Sequence, residues 1–215
     1  MINSKKENES IYVPLIDPDD VENFDRTERE KEAFLLFTIF VAGKTAKVIC
    51  QKSYMFHKYL LDYMSVNHPM LLRNEKEGVL KNIKMIPLEH IMKGLKDTKI
   101  GKYSVLSKLF SLLQEYPIDI DNIDLEDLEK LPGIGKKTSR YFMLYTFRNH
   151  KPIAILDRHV LKYLGYLGHD VPDSTPSGKM YDKIEKLFLN EYNKSDFNGS
   201  LPEFDLYIWK NKGKI

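Results

Sequence analysis

Apolar residues crowd one stretch of the chain. From Ala33 to Ala42, ten successive residues are apolar except Thr38. Just ahead, Thr27-Glu28-Arg29-Glu30 has the spacing of a capping box, in which the threonine and the second glutamate serve each other's backbone amides. The pattern predicts a helix over about 28–41, apolar almost all round and therefore buried at the centre of the fold. Gly43 breaks it, and Lys44-Thr45 opens a second helix whose apolar positions keep helical spacing to about Met64. Residues 65–86 show no clear period.

Pro87-Leu88-Glu89 reads as a helix start with proline in the first turn. Asp97 to Gly101 is a turn. A helix over about 102–116 has Val105, Leu106, Leu109, Leu112 and Leu113 on one face. Asp124 caps a short helix over 125–130, and another follows over about 136–148. Residues 151–156 are extended, and Asp157 caps a helix to about residue 167. An amphipathic helix from 177 or 178 to about 192 and a short one over about 202–212 complete the chain. No two strands pair by pattern, and no repeat is evident. The expected fold class is all-α with short connections.

Composition narrows the function classes. The chain has 215 residues, 42% of them hydrophobic and 30% charged, enough for a core in one large domain or two packed lobes. No apolar run reaches the roughly 18 residues of a membrane span. The first ten residues have no signal-peptide pattern, so the expected location is inside the cell. Cys50 is the single cysteine, which excludes an intrachain disulfide and a four-cysteine metal or iron–sulfur site in this chain. No cofactor is expected. Residues 1–32 hold five Lys/Arg against ten Asp/Glu, net −5, and residues 33–215 hold 28 against 21, net +7. An acidic, partly ordered leader (1–25), with an apolar patch over 11–16, thus precedes a basic body (26–215). A basic body suits a polyanionic partner.

The chemistry concentrates at Leu131-Pro132-Gly133-Ile134-Gly135-Lys136-Lys137-Thr138. Gly133 and Gly135 permit positive φ and close approach, and Ile134 can anchor the turn in the core. The free amides of the turn and of the next helix start form an anion site, to which Lys136 and Lys137 add charge. With a helix on each side this is a helix–hairpin–helix unit, suited to a DNA backbone. Twenty residues after Lys137 comes Asp157. A helix climbing roughly 16 Å and six extended residues returning roughly 20 Å, with a reversal at Asn149-His150, permit the two side chains to share one cleft. A lysine in a partly dry site becomes a nucleophile, and a carboxylate beside it stabilises developing positive charge and relays protons. On spacing alone Lys137 serves equally as a phosphate ligand and Asp157 as a helix N-cap.

The hairpin, followed by Ala154-Ile155-Leu156-Asp157-Arg158-His159-Val160, resembles the helix–hairpin–helix DNA glycosylases with the Gly/Pro-rich loop and aspartate. The likeness spans about residues 30–212. Short length, the missing cysteine cluster and the ending Phe204-Asp205-Leu206-Tyr207-Ile208-Trp209 with Lys214 look like the compact type-2 8-oxoguanine glycosylase/lyases. The resemblance implies two helical lobes, about 45–140 with the hairpin at 131–135, and 26–44 with 141–215, around a DNA cleft. It implies a monomer acting on double-stranded DNA with a flipped base, without an iron–sulfur cluster.

Lys137 matches the lysine that attacks C1′ and forms a Schiff base, and Asp157 matches the catalytic aspartate. Gly133, Ile134, Gly135, Lys136, Thr138 and His159 match DNA-binding positions. Lys44 is a candidate to fill the gap left by the flipped base, where relatives often carry Asn or Gln. Phe204, Tyr207, Trp209 and Lys214 are candidates for the base pocket, although here Ile215 follows Lys214. The carbonyls of Leu131 and Gly133 are candidate ligands for a monovalent cation; no other metal site is implied. The expected activity is base-excision repair of an oxidised purine with AP lyase cleavage. The alternatives are a glycosylase for alkylated or mismatched bases without lyase activity, and a non-enzymatic DNA-binding module.

Overall fold

The computed structural model describes residues 12–19, 21–72, 76–148 and 150–214. Residues 1–11 of the leader, Asn149 of the expected reversal and Ile215 lie outside the described residues. Among those described, the fold is all-α: nine α-helices, two 3₁₀ turns and no strand. No described helix is long and apolar enough to cross a membrane.

Helix α1 (Glu28–Val41) has both halves of the capping box at Thr27 and Glu30. Every residue from Ala33 to Phe40 is buried, Thr38 included. Thr38 is accommodated because its hydroxyl donates to the Leu35 carbonyl at 2.8 Å, satisfying the polar group within the helix. Two later helices pack directly on α1. Phe34 meets Tyr141 and Phe142 of α6 (Lys136–Thr146), at 5.7 and 6.1 Å between ring centroids. Phe40 meets Phe56 of α2 (Ala46–Asn67) at 5.6 Å, and Phe56 meets Phe110 of α4 (Tyr103–Glu115) at 5.7 Å. Helix α3 (Leu88–Asp97) lies between α2 and α4. Full burial of each such ring contributes about 1.5–3 kcal/mol, so α1 organises this first core.

A second core is built by α7 (Arg158–Tyr166), α8 (Gly178–Lys194) and α9 (Leu201–Lys210). Its centre is Tyr163, Phe188 and Phe204, one from each helix, with centroid separations of 5.7 to 6.4 Å. The unperiodic stretch 65–86 holds the 3₁₀ turns Pro69–Leu71 and Leu80–Met85. The amides of Val79 and Leu80 are bonded by the buried carboxylate of Glu32 in α1, at 2.6 and 2.7 Å. A distant side chain thus anchors the start of the second of these turns.

The described part of the leader docks on the first core. Val13 and Val21 are buried in the first core. The Arg26 guanidinium lies 4.1 Å over the Phe34 ring and donates to the carbonyls of Val21 and Tyr145, clasping the leader to α6.

Candidate active site

Helix α5 (Leu125–Lys130) is capped by Asp124, whose side chain accepts from the Asp127 amide at 2.8 Å. The turn after it closes with the Ile134 amide donating to the Leu131 carbonyl at 3.1 Å, and Ile134 is buried in the first core. Of the two glycines only Gly133 takes a positive φ, +85°. A Cβ there would lie 2.6 Å from Val105 Cγ1, so the turn sits directly against the first turn of α4. Gly135 is extended (φ −102°, ψ 176°) and precedes α6 without a side-chain cap. The amides of Lys136, Lys137 and Thr138 form no backbone hydrogen bond among the described residues. Those donors and the α6 dipole remain available to an anion.

The two adjacent lysines differ. Lys136 is ion-paired with Asp182 of α8. Lys137 is exposed, has no salt bridge among the described residues, and lines a cavity of about 840 Å³. Asp157 lines the same cavity. Its Oδ1 accepts the amides of His159 and Val160 at 2.7 and 2.9 Å. Its Oδ2 makes no hydrogen bond among the described residues. The cap and a chemical role are therefore compatible, since one oxygen holds the helix and the other is left for the cavity.

The return path between them is held by α8. The Tyr181 hydroxyl donates to the Ala154 carbonyl at 2.8 Å and accepts the Leu156 amide at 3.1 Å. Glu185 accepts the Ala154 amide at 2.9 Å and the Arg140 guanidinium of α6. Arg140 also donates to Glu129 of α5. The extended segment finds its partners in side chains, which is why no strand forms there.

The cavity also holds an acid outside the expected set. Asp205 of α9 lines the cavity with Lys137 and Asp157, yet is 8% exposed. The Tyr145 hydroxyl donates to its Oδ2 at 2.5 Å. Burial pushes the Asp205 carboxyl up to about 7, opposed by the Tyr145 hydrogen bond, raised further by the Asp157 charge and lowered by Lys137. The Tyr141 and Tyr145 hydroxyls are pushed well above the ordinary tyrosine value, by burial first and then by Asp205.

The remaining expected residues divide. Lys44, Thr138, His159 and Trp209 line the same cavity, and the His159 and Trp209 rings meet edge-on at 6.4 Å. The Lys44 ammonium is engaged with the Ile100 carbonyl. Phe204 is inside the second core and does not reach the cavity. Tyr207 packs on Phe197, and Lys214 is an exposed residue away from the cavity lining. For a cation at the hairpin, the Leu131 carbonyl already accepts one amide, while that of Gly133 accepts none among the described residues. No family model matches the chain, and no solved structure matches it.

Proposed function

We propose that the chain is a helix–hairpin–helix DNA glycosylase with AP lyase activity, two-lobed around a DNA cleft, removing an oxidised purine with 8-oxoguanine as the first candidate. The observation that carries the reading is that an unpaired lysine, Lys137, and a helix-capping aspartate with one unbonded oxygen, Asp157, line one cavity beside an uncapped helix N-terminus. That combination suits a nucleotide, with its phosphate at the α6 amides and its sugar between lysine and carboxylate.

In this scheme Lys137 reacts as the neutral amine. Its nitrogen attacks C1′, the glycosidic C–N bond breaks, and its electron pair departs with the base, which takes up a proton. The lysine nitrogen releases a proton, the sugar ring opens, and a Schiff base links Lys137 to C1′. Loss of a C2′ proton then expels the 3′ phosphate by β-elimination, and water hydrolyses the imine to free the lysine. The Asp157 carboxylate stabilises the positive charge at C1′. Asp205, with a carboxyl near 7, is matched to carry a proton at neutral pH. The flipped base would lie toward Trp209 and His159.

The test is borohydride trapping on duplexes carrying oxidised purines, beginning with 8-oxoguanine opposite cytosine. A covalent enzyme–DNA adduct is expected, and it is lost in Lys137→Gln. No adduct on any such duplex would remove the lyase claim. Binding to these duplexes with neither base release nor adduct would leave only a DNA-binding module.

A further inference from the structure

The α1–α2 turn and the α3–α4 turn are bound to each other by lysines. The Lys44 ammonium donates to the Ile100 carbonyl, that of Lys102 to the Ala42 carbonyl at 2.8 Å, and that of Lys52 to the Lys99 carbonyl at 2.8 Å. Lys47, in the first turn of α2, and Lys99, in the α3–α4 turn, are exposed. None of these five lysines has a carboxylate within salt-bridge reach among the described residues. Other lysines near them do have such a partner, as Lys58 has Asp62 and Lys93 has Asp97.

Three features make this arrangement costly for the protein alone. First, the charges repel. Burial lowers the affinity of Lys44 and Lys102 for their protons, and the neighbouring Lys52 and Lys44, respectively, lower it further. Second, Lys44 and Lys47 flank the N-terminus of α2, and Lys102 is the N-cap of α4. Neither cap makes a side-chain hydrogen bond. Cations at the positive end of a helix dipole are unfavourable. Third, Lys99 and Lys102 have φ of 54° and 57°, with Gly101 at 78° between them. A left-handed non-glycine residue costs about 1 kcal/mol or more, and two of the three found among the described residues are in this turn.

We propose that this lysine-bound pair of turns is a second seat for the phosphodiester backbone of duplex DNA, separate from the amides of α6. The proposal rests on the reading of the chain as a DNA-acting enzyme and adds where the duplex runs. Residues Ala42 to Ala46 form part of the same cavity lining as Lys137. The Leu131–Gly135 turn touches Val105 in the first turn of α4. The two seats are therefore neighbours on one surface, and a duplex held at α6 can continue across α4 to Lys102, Lys99 and Lys44. An entering phosphate would accept from ammoniums and from the free amides of α2 and α4, relieving the repulsion that the apoprotein carries.

The experiment is the salt dependence of binding to an undamaged duplex, which requires no chemistry. For Lys44→Gln/Lys52→Gln/Lys102→Gln, log Kd against log [NaCl] is expected to be shallower than wild type by about 2.7, at roughly 0.9 for each of three phosphates no longer neutralised. Lys194→Gln, in an ion pair with Glu191 on α8, should leave the slope unchanged. The arginine triple variant should restore it. Melting without DNA controls for folding: a seat predicts a triple variant at least as stable as wild type. Lys102→Asn supplies a single change that tolerates the left-handed backbone. A lower melting temperature with an unchanged slope would make the lysines structural links only and overturn the proposal. An unchanged slope with a normal borohydride adduct overturns the seat alone. A shallower slope with no adduct in wild type overturns the glycosylase reading and leaves the seat standing.

Discussion

Arg140 and Glu185 form a two-point pair, Nε to Oε1 at 2.7 Å and Nη2 to Oε2 at 3.2 Å, between the helix that carries Lys137 and helix α8. The same Glu185 oxygen accepts the Ala154 amide, three residues before Asp157. One carboxylate thus sets the separation of the two cavity residues. Arg140 and Glu185 are both largely buried, and breaking a buried pair from one side costs about 3–5 kcal/mol because the other charge is left uncompensated. Glu185→Ala should lower the free energy of unfolding in urea by about 3 kcal/mol. Trapping should fall as well, although Glu185 is absent from the cavity lining. Full adduct yield at temperatures where the variant is folded would show that α8 does not position the pair.

Asp157 has two tasks that different substitutions separate. Asparagine caps a helix about as well as aspartate, and alanine at the cap costs about 1 kcal/mol. Asp157→Asn should therefore melt close to wild type and Asp157→Ala below it. Both should lose the borohydride adduct, because neither has a carboxylate to face C1′. A fully active Asp157→Asn would confine the residue to capping.

His57 is fully buried on α2, and neither ring nitrogen has a hydrogen-bond partner. Its nearest charged group is Glu32, whose Oε2 lies 3.8 Å from Nε2 and is already bonded to the Val79 amide. An unsatisfied buried polar group costs about 1–3 kcal/mol. His57→Leu, close in volume and without the polar atoms, should raise stability by about 1 kcal/mol in chemical denaturation. A loss of that size would mean that His57 and Glu32 act as an ion pair in solution.

The local elements are legible in the sequence because their signals are local. The Thr27 capping box, the Asp124 and Asp157 caps and the apolar run after Glu32 each name a boundary from a few adjacent residues. The turn at Val79-Leu80 is not legible, since the amides of these two residues are satisfied by Glu32, 47 and 48 positions upstream. Of the cavity, Lys137 and Asp157 can be placed by counting the rise of a helix and the reach of an extended return. Asp205 escapes such counting because an aspartate among aromatics reads as an ordinary polar position. Its register carries a usable signal: it lies between Phe204 and Ile208 on the buried stripe of α9, where an acid needs a reason. The Phe204 side chain shows the converse, a large aromatic beside the cavity residues that serves only the second core.

Asp205 gives the molecule a pH dependence of stability with a definite sign. Its carboxyl rises from 3.8 in the unfolded chain to about 7 in the fold, chiefly through burial. Between about pH 4 and 7 the folded state therefore holds a proton that the unfolded state has released. Stability from this group is fully present below the lower value and is lost as pH rises through the upper one. At about 1.4 kcal/mol per tenfold change in proton affinity, the loss above pH 7 is on the order of 4 kcal/mol. Asp205→Asn keeps an acceptor for the Tyr145 hydroxyl but cannot ionise. It should match wild type near pH 4 and exceed it by several kcal/mol at pH 8, read as the difference between urea unfolding curves at each pH. The difference isolates Asp205 from His90, which burial holds below the ordinary histidine value and which acts with the opposite sign. Parallel curves for the two proteins from pH 4 to 8 would mean that Asp205 does not titrate in that range, and with that its role as a proton carrier at neutral pH would fall.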